Sequence, residues 1–205
     1  MARAGDVFAG VGPFAVPAAK RGNVVYANDL NPESYKYLNE NRELNKVTDT
    51  LHTFNLDGRE FIRRSFTYLG VADRKAGVPF RPFEHVAMNL PATAIEFVDA
   101  FRGILIGMAD DPEDGPEHLD TTVHCYCFSK SDDPEADVVE RIGAVLQEPL
   151  KPGTYSVFHV RRVAPNKVML CVSFRLSRSV AFARRKRKGD EDVGDDADES
   201  KRART

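Results

Sequence analysis

Four times within the first ninety-one residues, an apolar, strand-like run stops at a small polar residue or a glycine. The stops are Asp6-Val7-Phe8-Ala9-Gly10-Val11-Gly12, Asn28-Asp29, Asp57-Gly58 and Asn89-Leu90-Pro91. Amphipathic stretches long enough for a crossover helix separate them. Repeated β-α units of this length impose an α/β fold with a parallel sheet and helices on both faces. They also place the four stops on one rim, at the carboxyl ends of the strands, where open α/β sheets bind their ligands.

The elements follow from local pattern. A strand of about Asp6 to Phe8 runs into the glycine turn and then a helix. Val24-Val25-Tyr26 reads as a buried strand, and Asn31-Pro32-Glu33 supplies a cap, a proline at the first helical position and an acid in the first turn, for a helix from Pro32 to about Asn45. Leu51 to Leu56 is the third strand, followed by a helix through Phe61 and Ile62. His85 to Leu90 is the fourth, stopped by Pro91. Ala94, Phe97, Val98, Phe101 and Leu105 then form the stripe of a helix packed on a sheet. Val123 to Phe128 is the fifth strand, and Pro134 to Leu146 carries Val138, Ile142 and Val145 on one helical face.

The ending differs. Tyr155 to Val160 and Val168 to Phe174 are β-rich, and the connector Arg161 to Lys167 is too short for a crossover helix, so the two pair antiparallel. Thr67 to Pro82 and the acidic Ala109 to Asp120 read as loops. From Arg184 onward, eight basic and seven acidic residues without an aromatic predict a disordered charged tail, residues 184–205, beyond one catalytic domain, residues 1–183. Within it Arg184-Arg185-Lys186-Arg187-Lys188 and Lys201-Arg202-Ala203-Arg204 have the spacing of a two-part nuclear import signal, or are a chance product of composition.

Composition narrows the class. No apolar run approaches the ~18 residues that span a bilayer, and Met1 to Gly5 lacks a secretory segment, so a soluble intracellular protein with no membrane partner is expected. Cys125, Cys127 and Cys171 include no C-x-x-C pair and are expected as buried, reduced thiols. The five histidines show no ligand spacing, and no metal is expected. A net charge of −2 does not advertise a nucleic-acid binder, so any RNA contact rests on local patches.

The rim residues carry the chemistry. Gly10 and Gly12 allow a tight turn and close approach to a ligand, with a helix N-terminus behind them. With Ala15 the segment satisfies G-x-G-x-x-A, and Asp29 lies nineteen residues after Gly10, as in a nicotinamide-binding fold, so a nicotinamide-dependent oxidoreductase stands as one reading. Asp29 has two oxygens for the two hydroxyls of a ribose, or is a turn residue or helix cap. Asp57 is a carboxylate suited to adenine amino hydrogens, with Gly58 leaving room for the ring, or the pair is an ordinary turn. Asn89 offers an amide donor and acceptor beside a transferable group, with Pro91 fixing the turn, or merely ends a strand.

With these stretches, Ala27-Asn28-Asp29-Leu30-Asn31-Pro32-Glu33-Ser34, Asn55-Leu56-Asp57-Gly58, Met88-Asn89-Leu90-Pro91-Ala92, His124 to Lys130 and Val163-Ala164-Pro165-Asn166-Lys167, the chain resembles the eukaryotic and archaeal-type tRNA (guanine-37-N1)-methyltransferases from about Asp6 to Leu176. The resemblance implies a class I, Rossmann-like fold with a mostly parallel sheet closed by an antiparallel C-terminal hairpin. It implies S-adenosyl-L-methionine as methyl donor and N1 of guanosine 37 in tRNA as acceptor. By position, Asp29 with Leu30 would hold the ribose, Asp57 with Gly58 the adenine, and Asn89 the methionine end or the target base, with Pro91 beside it. The Gly10 to Gly12 turn would pass beneath the cofactor. Arg161, Arg162 and Lys167 are candidates for tRNA phosphates, or are simply solvated.

The same resemblance places the catalytic base, a glutamate, and its partner arginine upstream of Met1, together with a tRNA-gripping domain. A truncated product or partial gene model is therefore expected, monomeric, with weak or absent activity alone and unpaired edges beside its short first strand. A noncatalytic cofactor- or tRNA-binding fragment is the alternative function. Cytoplasm and nucleus are the expected compartments, with the mitochondrial matrix open to the full-length family.

Overall fold

The computed structural model describes residues 1–107 and 118–184. The centre of the acidic segment, and the tail from Arg185 with its paired basic clusters, lie outside the described residues. Seven strands form one sheet in the order β3-β2-β1-β4-β5-β7-β6. They are β1 (Arg3–Asp6), β2 (Val24–Asn28), β3 (Leu51–Phe54), β4 (His85–Met88), β5 (His118–Ser129), β6 (Tyr155–Ala164) and β7 (Lys167–Ser177). The first five are mutually parallel, and β7 pairs antiparallel with both β5 and β6. The helices are α1 (Ala15–Lys20), α2 (Pro32–Leu44), α3 (Gly58–Ala76), a 3-10 helix (Ala94–Phe101), α4 (Pro134–Leu146) and α5 (Arg178–Ala181).

Two apolar layers sandwich the sheet. On one face α3, the 3-10 helix and α4 bury Phe61, Phe66, Phe101, Val138 and Ile142 against Val86, Met88, Val123, Cys125, Leu170 and Val172. On the other, α1 and α2 cover β1 to β3 through Val16, Ala19, Leu38, Val25 and Leu51. All three cysteines are free and buried, and burial pushes the Cys127 thiol up to about 12. Among the described residues no helix is long and apolar enough to cross a membrane.

Several expectations are corrected. The first strand is Arg3–Asp6, with Val7 and Phe8 already in the turn. Its four residues pair with Val24–Ala27 on one side and with His85–Ala87 on the other, so the neighbouring strands do have a partner there. The third strand stops at Phe54, and the fourth at Met88. Thr67 to Ala76 is not a loop but the second half of α3, because Phe66, Leu69, Gly70 and Asp73 extend the buried stripe begun by Phe61 and Ile62. The helix ends only at Gly77, whose φ of +66° forms a left-handed cap. The stripe after Pro91 is a 3-10 helix that ends at Phe101. Beyond it Gly103 turns at φ +68°, and the amides of Gly103 and Leu105 donate to Val180 and Ala181 of α5 instead of continuing a helix. The fifth strand starts at His118, inside the segment expected as an acidic loop. Arg161 to Ala164 prolong β6, leaving Pro165-Asn166 as the whole hairpin turn.

Candidate active site at the carboxyl rim of the sheet

The turn after β1 needs its glycines for different reasons. Gly12 has φ +96°, and a Cβ there would lie 2.8 Å from both Leu38 Cδ1 and Val16 Cγ2, so the turn packs directly onto α1 and α2. Gly10 has φ +54°, and a Cβ on it would meet nothing within 4 Å. Its bare backbone faces open space at the rim, where a ligand can come close.

Asp29 ties this turn to the next loop. Its Oδ2 accepts the Gly10 amide at 2.8 Å and its Oδ1 accepts the Asn31 amide at 2.9 Å. Each carboxylate oxygen retains a second lone pair, so the bracing role leaves room for ribose hydroxyls. Leu30 beside it is 65% exposed, an unusual state for leucine at a strand end. Asn55 donates to the carbonyls of Asp29 and Leu30, locking the loop after β2 to the one after β3.

Asp57 is the cap of α3. Its Oδ1 accepts the Arg59 and Glu60 amides at 2.9 and 3.3 Å, leaving Oδ2 without a hydrogen bond among the described residues. Gly58 is buried in an aromatic corner: a Cβ would come within 2.9 Å of Phe8 and 3.1 Å of Phe97. Those rings meet edge to face at 5.0 Å. Arg59 holds the corner shut, pairing with Asp99 at 2.8 Å, donating to the Glu96 carbonyl, and covering the Phe97 ring at 4.5 Å.

Asn89 follows β4 with its Oδ1 buried and without a hydrogen-bond partner among the described residues. The carbonyl of Leu90 accepts the amides of Thr93 and Ala94, and the carbonyl of Pro91 accepts the amide of Phe128 at 3.0 Å. The turn is therefore stitched to the end of β5.

Two further residues complete the rim, and sequence reasoning assigned them no role. Asn28 is 1% exposed and joins three loops: its amide donates to the carbonyls of Val7 and Leu56, and its Oδ1 accepts the Leu56 amide. Asp6 is 3% exposed, and among the described residues neither of its carboxylate oxygens has a hydrogen-bond partner. Burial raises its carboxyl to about 7; the nearby Phe8 amide offsets part of this without completing a hydrogen bond, and the Asp29 charge adds to it. The available signal was position: a carboxylate ending the central strand of a sheet covered on both faces cannot escape to solvent.

The rim therefore sets Gly10, Gly12, Asp29, Asp57, Gly58 and Asn89 on the loops after the first four strands, the first three loops joined to one another by hydrogen bonds and the fourth to the end of β5. It adds buried polar oxygens at Asp6 and Asn89 that have no hydrogen-bond partner among the described residues. A separate small cavity, between α4 and the far end of β7 near Leu146, Pro149 and Phe174, contains none of these residues.

Comparison with known proteins agrees with this layout. Residues 3–109 match the model of the TRM5/TYW2 methyltransferase domain. A tRNA (guanine(37)-N(1))-methyltransferase of Danio rerio is 52% identical over 86% of this chain and 35% of its own length. One of Homo sapiens is 47% identical over 86% and 34%. The chain thus spans well under half the length of these relatives. Among solved structures, Trm5b of Pyrococcus abyssi aligns at a TM-score of 0.56 and 28% identity over 85% of this chain and 44% of its own. TYW2 of M. jannaschii in complex with AdoMet aligns at 0.60 and 22% over 86% and 68%, a likeness of fold. By sheet order, rim and matched residues, the chain belongs to the TRM5/TYW2 methyltransferase domain family.

Proposed function

We propose that this chain binds S-adenosyl-L-methionine along the rim and serves transfer of its methyl group to N1 of guanosine 37 in tRNA. The observation that carries the reading is the pair of buried, unsatisfied acceptor groups, Asp6 and Asn89, beside a loop network already braced by Asn28 and Asp29. Such acceptors suit a ligand rich in donors and bearing positive charge. The relatives' shared name and the AdoMet carried by the M. jannaschii neighbour support the same reading.

Roles follow from placement. The second lone pairs of Asp29 would take the ribose hydroxyls, with exposed Leu30 along the sugar. The Oδ2 of Asp57 would accept the adenine amino group, while Gly58, whose open side is filled by Phe8 and Phe97 and not left free for the ring, lets that loop pack closely beneath it. Asp6 would neutralise the ammonium of the methionine moiety, and Asn89 would orient that end or the target base, with Pro91 holding the turn. Bound in this way, the sulfonium supplies an electrophilic methyl group. N1 of guanine carries a proton at neutral pH, so the reaction needs an acceptor for it. The contribution of this rim is orientation and charge placement.

Two measurements test the proposal. Calorimetry with S-adenosylhomocysteine and with NAD should show binding of the first alone; NAD binding would restore the oxidoreductase reading. Methyl incorporation into unmodified tRNA bearing guanosine 37, read as 1-methylguanosine by nucleoside mass spectrometry, separates the enzyme from a noncatalytic cofactor-binding chain. Binding without any product would leave only the latter.

A further inference from the structure

The β6–β7 hairpin rises beside the rim, and its tip carries cations that no acid among the described residues pairs with. Met88, the last residue of β4, lies opposite Cys125, yet β5 continues to Ser129, which pairs with Val168 of β7. Four further residues at about 3.3 Å each lift this edge roughly 13 Å above the level of Met88. The edge is a wall along one side of the candidate site, and Pro165-Asn166 is its crest.

Arg161 pairs with Met169 and Arg162 with Val168, so the two guanidiniums stand on opposite faces of the wall near its crest. Both are exposed, and among the described residues neither has an ion pair or hydrogen bond. Lys167 leans inward, its Nζ 3.9 Å over the Phe128 ring. Phe128 in turn donates its backbone amide to the Pro91 carbonyl, so Lys167 rests on the residue tied to the Asn89-Leu90-Pro91 turn. Exposed Lys130 follows at the end of β5. Nearby acids are largely committed: Asp133 caps α4, Glu135 pairs with His159, and Asp137 pairs with Arg141. Asp132 alone among them has no such partner.

We propose that this crest is the phosphate grip for the RNA strand flanking the target nucleotide, with Lys167 nearest the target and Arg161 and Arg162 straddling the strand's path. The inference rests on the methyltransferase reading and adds the surface that receives its substrate. The physical logic is that of positioning contacts: cations on a rigid hairpin fix the strand's register without reading sequence, while the rim below handles the base. Arginine forks suit phosphate oxygens in two-point contact, and a lysine over an aromatic ring is a point charge kept from folding back into solvent.

The test is fluorescence anisotropy of the 205-residue chain with an anticodon stem-loop RNA across a salt series, with S-adenosylhomocysteine calorimetry alongside. Arg161→Ala/Arg162→Ala and Lys167→Ala should each weaken RNA binding, the double variant about tenfold at low salt. The slope of log affinity against log salt should flatten by roughly 0.7 for each single-strand phosphate that the variant no longer neutralises. S-adenosylhomocysteine binding should be unchanged, which also reports that the fold is intact. Arg21→Ala/Lys75→Ala removes two exposed cations at the opposite rim and should leave RNA affinity as it was. Wild-type affinity and slope in the crest variants, equal weakening by the control pair, or no RNA binding by the wild-type chain would each overturn the grip. Failure of the wild-type chain to bind S-adenosylhomocysteine would instead overturn the reading beneath it.

Discussion

Asp6 concentrates the physics of the site in one side chain. Its folded-state carboxyl titrates near 7, against an ordinary value of 3.8. A raised pKa means that the stability linked to the protonated form is fully present below the unfolded value and is lost as pH rises through about 7. Asp6→Asn removes that titration and should stabilise the ligand-free chain at about pH 8, by at most roughly 4 kcal/mol for a carboxyl moved from 3.8 to about 7. Urea denaturation at about pH 5 and pH 8 measures it, and equal pH dependence in variant and wild type would show that the carboxyl is not confined. The same variant should bind S-adenosylhomocysteine at least tenfold more weakly, because the neutral amide loses the charge on the ammonium. The two turn glycines separate folding from binding. Gly12→Ala meets Leu38 and Val16 at a positive φ and should cost about 2–4 kcal/mol in denaturation. Gly10→Ala meets no neighbour, should cost about 1 kcal/mol, and should show its main loss in cofactor affinity.

Among the elements, α3 shows where sequence reading succeeds and where it stops. Its start was legible, because Asp57-Gly58 after an apolar run is a cap with a mechanism. Its second half was not: Gly70, Gly77, Pro79 and Pro82 imitate a loop, while the reason for helix is tertiary. Asp73 is 2% exposed and takes both guanidinium nitrogens of Arg3, at 2.6 and 2.7 Å, and the Arg81 amide at 2.8 Å. That pairing fastens the end of α3 to the start of β1 across seventy residues of sequence. No local pattern announces a partner so distant. Asp73→Ala leaves Arg3 without its partner and should cost about 2–4 kcal/mol, toward the lower end because the Arg3 side chain keeps 20% of its area in solvent. Thermal denaturation checks this, and a cost below about 1 kcal/mol would show the pair to be ornamental. The hairpin failed differently. Both strands were visible as β-rich runs, but Arg161 and Arg162 are too polar to be recognised as strand until the pairing with β7 is seen.

At the scale of the whole molecule, the sheet and its rim were legible because they obey period and punctuation, the two properties a sequence displays openly. The buried acceptors were not, since nothing in a sequence says that a carboxylate lacks a donor. Those two classes of residue meet in the pH behaviour of the ligand-free chain. Asp73 is held below its ordinary value, first by its hydrogen bond from Arg3, so its contribution is present above about pH 4 and is lost as pH falls through its lowered folded value. Asp6 acts at the other end, its contribution lost as pH rises through about 7. Stability of the ligand-free chain should therefore peak near pH 4 and decline from there until about pH 7. A ligand ammonium facing Asp6 favours the ionised carboxylate, so S-adenosylhomocysteine should bind more tightly as pH rises through that range and restore the alkaline side. At a hundredfold excess over its Kd near pH 8 it should add about 2.7 kcal/mol, an increase in Tm of roughly 5–10 °C for a chain of this size. At the same ligand concentration near pH 6 the increase should be smaller. Differential scanning fluorimetry at the two pH values decides the point: an increase that is equal, or larger at the lower pH, places the ammonium away from Asp6.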